Sequence, residues 1–181
     1  MDIKIAAEPK IGSTLYPEYN VIEKYYGDRR TARYGVPLIH HIDEGLTVLK
    51  HLGSSEDSQR AYCLHPLLQA DPELAANFDL PGIEGATHVN PRAVALALEY
   101  RNVANRALLH NYRGAVTISP LPEVNNMLIA DKVQNRKDFK RYHYETHPET
   151  AALQEYFDTW LLALGISETR YQELVHVIAS G

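Results

Sequence analysis

A single cysteine, Cys63, stands in a chain of 181 residues, so no internal disulfide can staple the fold. A reducing, cytoplasmic setting is the expectation that follows. Flanked by Tyr62 and Leu64, the thiol reads as core packing rather than as a nucleophile. No apolar stretch approaches the roughly 20 residues that a membrane-spanning helix needs. Met1 to Lys10 intersperses Asp2, Lys4, Glu8 and Lys10 among apolar residues, unlike the continuous apolar run of a secretory leader. An excess of positive charge is missing too. With 18 Lys and Arg against 23 Asp and Glu, the net charge of -5 argues against an extended nucleic-acid surface and leaves room only for a local basic pocket. Alternation at the strand period is nearly absent, as are internal repeats, low-complexity tracts and dividing linkers. What remains is one soluble, all-α domain, long enough to bury a core unaided and better suited to a small anionic ligand than to a nucleic-acid duplex.

Apolar residues recurring at helical spacing predict helices over Tyr19 to Arg33, Leu38 to His51, Glu56 to Ala70, Pro91 to Tyr112, Leu121 to Tyr144, Glu149 to Leu164 and Glu168 to Ala179. Gly35 and Pro37 separate the first pair, Gly53 and two serines precede the third, and Asn90-Pro91 reads as a cap followed by a first-turn proline. Ser167 has the character of an N-cap. Between Asp71 and Asn90, Pro72, Pro81, Gly82 and Gly85 carry too much turn chemistry for one regular helix, so a long loop with a short helical piece is expected there, a candidate rim for a pocket.

Three polar residues fall on apolar stripes. Leu38, His41, Gly45, Val48 and Leu52 share a line that turns His41 inward, with Gly45 leaving room one turn away; Ala61, Leu64, His65 and Leu68 do the same for His65. Val124, Met127, Leu128, Asp131 and Asn135 place Asp131 inward from an otherwise apolar face. A buried carboxylate must be paired, protonated or bound to a metal. Two neutral imidazoles with one carboxylate suit a divalent transition metal, with Mn, Fe, Co, Ni and Zn all open at this point.

At these residues the chain resembles the HD superfamily of metal-dependent phosphohydrolases, and within it the hydrolase domains of the RelA/SpoT family and their metazoan relatives. Arg33-Tyr34-Gly35-Val36-Pro37-Leu38-Ile39-His40-His41 is similar to the family's R-x-G-x-P-Y-I-x-H. Ala61-Tyr62-Cys63-Leu64-His65-Pro66 stands where the family has A-x-L-L-H-D, and Ile129-Ala130-Asp131-Lys132-Val133-Gln134-Asn135-Arg136 is close to L-A-D-K-L-x-N-x-R. The resemblance implies a compact HD-like helical bundle with His41, His65 and Asp131 as metal ligands and Mn as the first choice of metal. It further implies a purine nucleotide as the small-molecule partner, (p)ppGpp-like among the options, with Arg33, Lys132 and Asn135 contacting it.

The departures concentrate around the third helix. Pro66 replaces the aspartate of the HD doublet and donates no ligand, and Gln69 and Ala70 stand where active relatives carry the Glu-Asp pair that helps activate water. Gln69 and Asp71 are then the residues nearest to hand for positioning a water; Glu73, Asp43 and Glu44 are further carboxylates nearby, although Asp43 should point away from His41 on an ideal helix. A proline inside a helical pattern also removes a backbone donor and tends to kink the helix. Arg136, Lys137, Lys140 and Arg141 form a basic run that can meet phosphates or line a solvated face. His143, Glu145 and His147 alternate at a helix end, a spacing that suits a surface turn better than a second metal site. Two readings follow: a metal-dependent nucleotide phosphohydrolase, or a nucleotide-binding sensor or regulatory protein that keeps the pocket without turnover. A homo-oligomer is left open.

Overall fold

In a computed structural model the described residues are 16–32, 35–77, 88–109 and 116–180. They form eight α-helices: α1 (Pro17–Tyr26), α2 (Ile39–His51), α3 (Glu56–Leu68), α4 (Asp71–Asn77), α5 (Pro91–Leu109), α6 (Pro122–Tyr142), α7 (Thr150–Ala163) and α8 (Glu168–Ser180). No strand occurs among the described residues; the one extended contact is an isolated antiparallel bridge between Arg30 and Pro37. No helix there is long and apolar enough to cross a membrane.

The caps anticipated by composition are made. The Ser55 hydroxyl accepts from the Ser58 amide at 3.2 Å, Asn90 Oδ1 from the Arg92 amide at 2.8 Å, and the Ser167 hydroxyl from the Arg170 amide at 3.2 Å. Such caps satisfy amides that have no partner inside the helix. The first helix is shorter than its expected span from Tyr19 to Arg33. Gly27 adopts φ 52°, a conformation that glycine enters without steric cost, and its amide closes the last turn on the Glu23 carbonyl at 2.8 Å. The Thr31 amide then donates to Val36 O at 2.9 Å and the Leu38 amide to Arg29 O at 3.0 Å, which sets Pro37 at the approach to α2. The short helical piece expected after Asp71 is α4; the rest of that loop, 78–87, lies outside the described residues.

Two helices organise the core. α3 packs on α1, α2, α4, α5 and α6, and α6 packs on α2, α3, α5, α7 and α8. Leu46, Leu49, Tyr62, Leu64, Leu67, Met127 and Leu128, from α2, α3 and α6, are fully buried in one core. α2, α3 and α6, which carry His41, His65 and Asp131, touch one another pairwise.

At the far end of α6, Arg136 reaches out of the core with its guanidinium 4.2 Å from the Tyr171 ring centroid. It donates to Asp158 on α7 at 2.8 Å and to Glu168 on α8 at 2.6 Å. The basic run therefore divides: Arg136 is a buried clasp for the last two helices, while Lys137 and Arg141 face the cavity described below.

Candidate metal centre

His41, His65 and Asp131 converge, with one ligand atom from each lying within 4.8 Å of the other two. His41 Nε2 is 3.1 Å from His65 Nε2 and 3.6 Å from Asp131 Oδ1, and His65 Nε2 is 3.9 Å from the same oxygen. Bonds of roughly 2.0–2.2 Å from a common ion, at tetrahedral or octahedral angles, separate ligand atoms by roughly 3.0–3.5 Å, so the triangle is close to the size a transition metal requires.

The tautomers follow from the surroundings. Gln134 directs its amide nitrogen to two carboxylates, Glu44 Oε2 at 3.1 Å and Asp138 Oδ2 at 2.8 Å, which fixes its oxygen toward His41. His41 Nδ1 is 2.8 Å from that oxygen and must donate. His65 Nδ1 donates to the Tyr62 carbonyl at 2.6 Å. With both protons committed to Nδ1, both Nε2 lone pairs point into the triangle beside a carboxylate oxygen. Three acceptors facing one another repel until a cation lies among them, and a second group holding the ligand imidazole by its other nitrogen is the arrangement of metal sites generally. The Tyr62 hydroxyl, 3.4 Å from His41 Nε2, makes too long a contact to occupy that lone pair.

Electrostatics favour a neutral His65 and an ionised Asp131. Burial, and after it the neighbouring His41, lowers His65 to about 3, so its imidazole is neutral. Burial is the largest influence on both Asp131 and Lys132 and opposes their charge, but the neighbours together outweigh it: Lys132, His41 and His65 hold the carboxyl below the usual range, and Asp131 with Tyr156 holds the ammonium above it. Lys132 Nζ donates to Asp131 Oδ2 at 2.8 Å, leaving Oδ1 to the triangle, where Asn135 Nδ2 also donates at 2.8 Å. The ammonium lies 5.3 Å and 5.2 Å from the Tyr156 and Trp160 ring centroids, a cation–π seat that helps keep it in the core.

A cavity of about 740 Å³ opens over the three ligands. Its walls add Arg30, Glu44, Gln69, Asn135, Lys137 and Arg141, so cations and carboxylates share the lining. That volume is within the range of small-molecule and cofactor pockets. Of the sequence-predicted residues, His41, His65, Asp131, Lys132, Asn135 and Gln69 all line it. Arg33 lies outside the described residues. Asp71 is not brought in: it is exposed, pairs with Arg101, and lines a separate pocket to which Gln69 and Pro66 also contribute. Asp43 likewise turns away and accepts from the Tyr19 hydroxyl at 2.7 Å. His143 and His147 stack edge-on, 6.4 Å apart, in the turn after α6, and among the described residues only the His41 group has metal-ligand geometry.

Several supporting residues escaped sequence reasoning. Gln134 is one, since two of its three partners, Glu44 and His41, lie 90 and 93 positions away. Tyr62 is another: its ring occupies the space left by Gly45, where a Cβ would collide with it. Tyr100 packs its ring 4.9 Å from that of His65, and its buried hydroxyl makes no hydrogen bond of ordinary length. Burial, reinforced by the charge of Asp131, keeps that phenol protonated, with its proton on the Asp131 side of the site. Compared with protein-family models, curated proteins and solved structures, the chain matches none.

Proposed function

We propose that this protein is a metal-dependent phosphohydrolase acting on a purine nucleotide, (p)ppGpp-like among the candidates. The observation that carries the reading is the set of three converging lone pairs, with both imidazole tautomers fixed, in the wall of a cavity of nucleotide size. His41, His65 and Asp131 would hold a divalent metal, Mn first and Fe, Co, Ni or Zn as alternatives. Such an ion supplies Lewis-acid activation of water and neutralises phosphoryl charge. Arg30 and Arg141 stand in the cavity wall with guanidinium groups suited to phosphate oxygens, and Asn135 lines the same wall beside Asp131. Gln69 can orient a water by its amide. Glu44 and Asp138 are carboxylates in the wall that can accept a proton, each held in place by Gln134 and Lys137.

A second reading, a nucleotide-binding sensor without turnover, is favoured by one observation. Pro66, Gln69 and Ala70 bring no carboxylate to the α3 side of the cavity, and Asp71 points elsewhere.

Incubation of the protein with Mn and a panel of purine nucleotides, guanosine tetraphosphate included, separates the two when products and bound ligand are both followed. Turnover that disappears in His41→Ala supports the hydrolase. Binding without products supports the sensor. Neither binding nor turnover by metal-loaded protein sinks both.

A further inference from the structure

Pro66 is the sharpest departure from the pattern that the chain resembles, and its place in α3 bears directly on the ligand beside it. In an α-helix the amide of residue 66 would donate to the carbonyl of residue 62. Proline has no amide proton, and its ring crowds the carbonyl one turn back. That carbonyl, Tyr62 O, is the one to which His65 Nδ1 donates at 2.6 Å. We propose that Pro66 is a positioning residue for the metal centre: by leaving the Tyr62 carbonyl without its helical donor, it gives His65 a fixed acceptor and so directs Nε2 toward His41 and Asp131.

The two imidazoles solve one problem in different ways. His41 is half-buried beside polar residues and is held by a side chain, Gln134, itself anchored by Glu44 and Asp138. His65 is only 2% exposed, and its ring is packed between those of Tyr62 at 4.5 Å and Tyr100 at 4.9 Å. Aromatic faces hold the plane of a ring but do not choose its tautomer. A buried neutral imidazole with Nδ1 unpartnered would leave a polar group unsatisfied or place its proton on Nε2, where it would block the ligand lone pair. The backbone carbonyl released by Pro66 removes that alternative. A residue that supplies no ligand thus sets the orientation of one.

The functional consequence rests on the metal reading above; the tether is a property of the polypeptide alone and is tested separately. In protein labelled with ¹⁵N-histidine and treated with chelator, the ring nitrogen shifts of His65 should report Nδ1–H in the wild type and a shift toward Nε2–H in Pro66→Ala. Zn²⁺ affinity, measured by chelator competition, should fall about tenfold in that variant. Its thermal stability should hold or rise, because alanine is the better helix former, so a general loss of structure does not mimic the result. Pro66→Asp also returns the amide and must show the same tautomer shift, whatever its carboxylate adds to affinity. An unchanged tautomer in both variants, or Zn²⁺ affinity of Pro66→Ala within twofold of wild type, overturns the proposal. If the wild type binds no Zn²⁺, the metal reading fails, and the tautomer result still decides whether Pro66 holds His65.

Discussion

At the scale of single residues, the site depends on groups that never touch a ligand. Gly45 faces the Tyr62 ring with no space for a Cβ, so Gly45→Ala must push Tyr62 off its seat against the two histidines. Overpacking of this kind costs about 1–3 kcal/mol, to be read as a lower urea midpoint at unchanged slope. Gln134→Leu has a different signature. It removes the acceptor of His41 and the shared donor of Glu44 and Asp138, and leaves those carboxylates to Lys137. Metal affinity should fall about 10–100-fold while the helical circular dichroism stays the same. Unaltered affinity would mean that the amide does not set the tautomer. Cys63 offers a check on the core itself. Its thiol is fully buried and burial pushes its pKa well up, so folded protein should resist alkylation at pH 8 and denatured protein should not. His41, His65 and Asp131 were legible in the sequence because each interrupts an apolar stripe, and a stripe is a local pattern. Gln134 was not, because on α6 it looks like any polar helical residue until α2 is placed against it.

Among the elements, helix existence was legible and helix ends less so. Periodicity marks which segment buries a face, but termination depends on single backbone conformations. Gly27 ends α1 seven residues before the expected end, and from Gly27 to Arg33 only Ala32 is apolar, so no periodic pattern there marks where the helix stops. Arg136 shows the opposite limit. Within a basic run it reads as one of four surface charges, yet it is 4% exposed and links α6 to α7 and α8. Its partners Asp158 and Glu168 are about half exposed, at 51% and 55%, so solvent screening reduces the ion pairs and the packing on Tyr171 matters as much. Arg136→Met should therefore loosen the last two helices more than the bundle as a whole. Hydrogen exchange should rise across α7 and α8 and stay constant in α3. Equal acceleration everywhere would show that Arg136 supports global stability instead of a local clasp.

For the whole molecule, the ligands come from three helices that are adjacent in space and far apart in sequence, so an ion bound there joins α2, α3 and α6 at once. A ligand that binds only the folded chain stabilises it by mass action, about 2.7 kcal/mol at a hundredfold excess over Kd. In a domain of this size that is a rise of about 5–10 °C in the melting temperature. The rise should appear with Mn²⁺ or Zn²⁺, reverse with chelator and be absent in His41→Ala. His41 is the variant to use: Asp131→Asn would strand the buried Lys132 ammonium and destabilise the fold for a reason unrelated to metal. A melting temperature indifferent to both metals in the wild type would leave the converging lone pairs without a cation and would remove the support for a phosphohydrolase and for a metal-assisted sensor alike. A metal-dependent rise without nucleotide turnover would keep the centre and assign the loss of chemistry to the α3 side of the cavity, where Pro66, Gln69 and Ala70 supply no carboxylate.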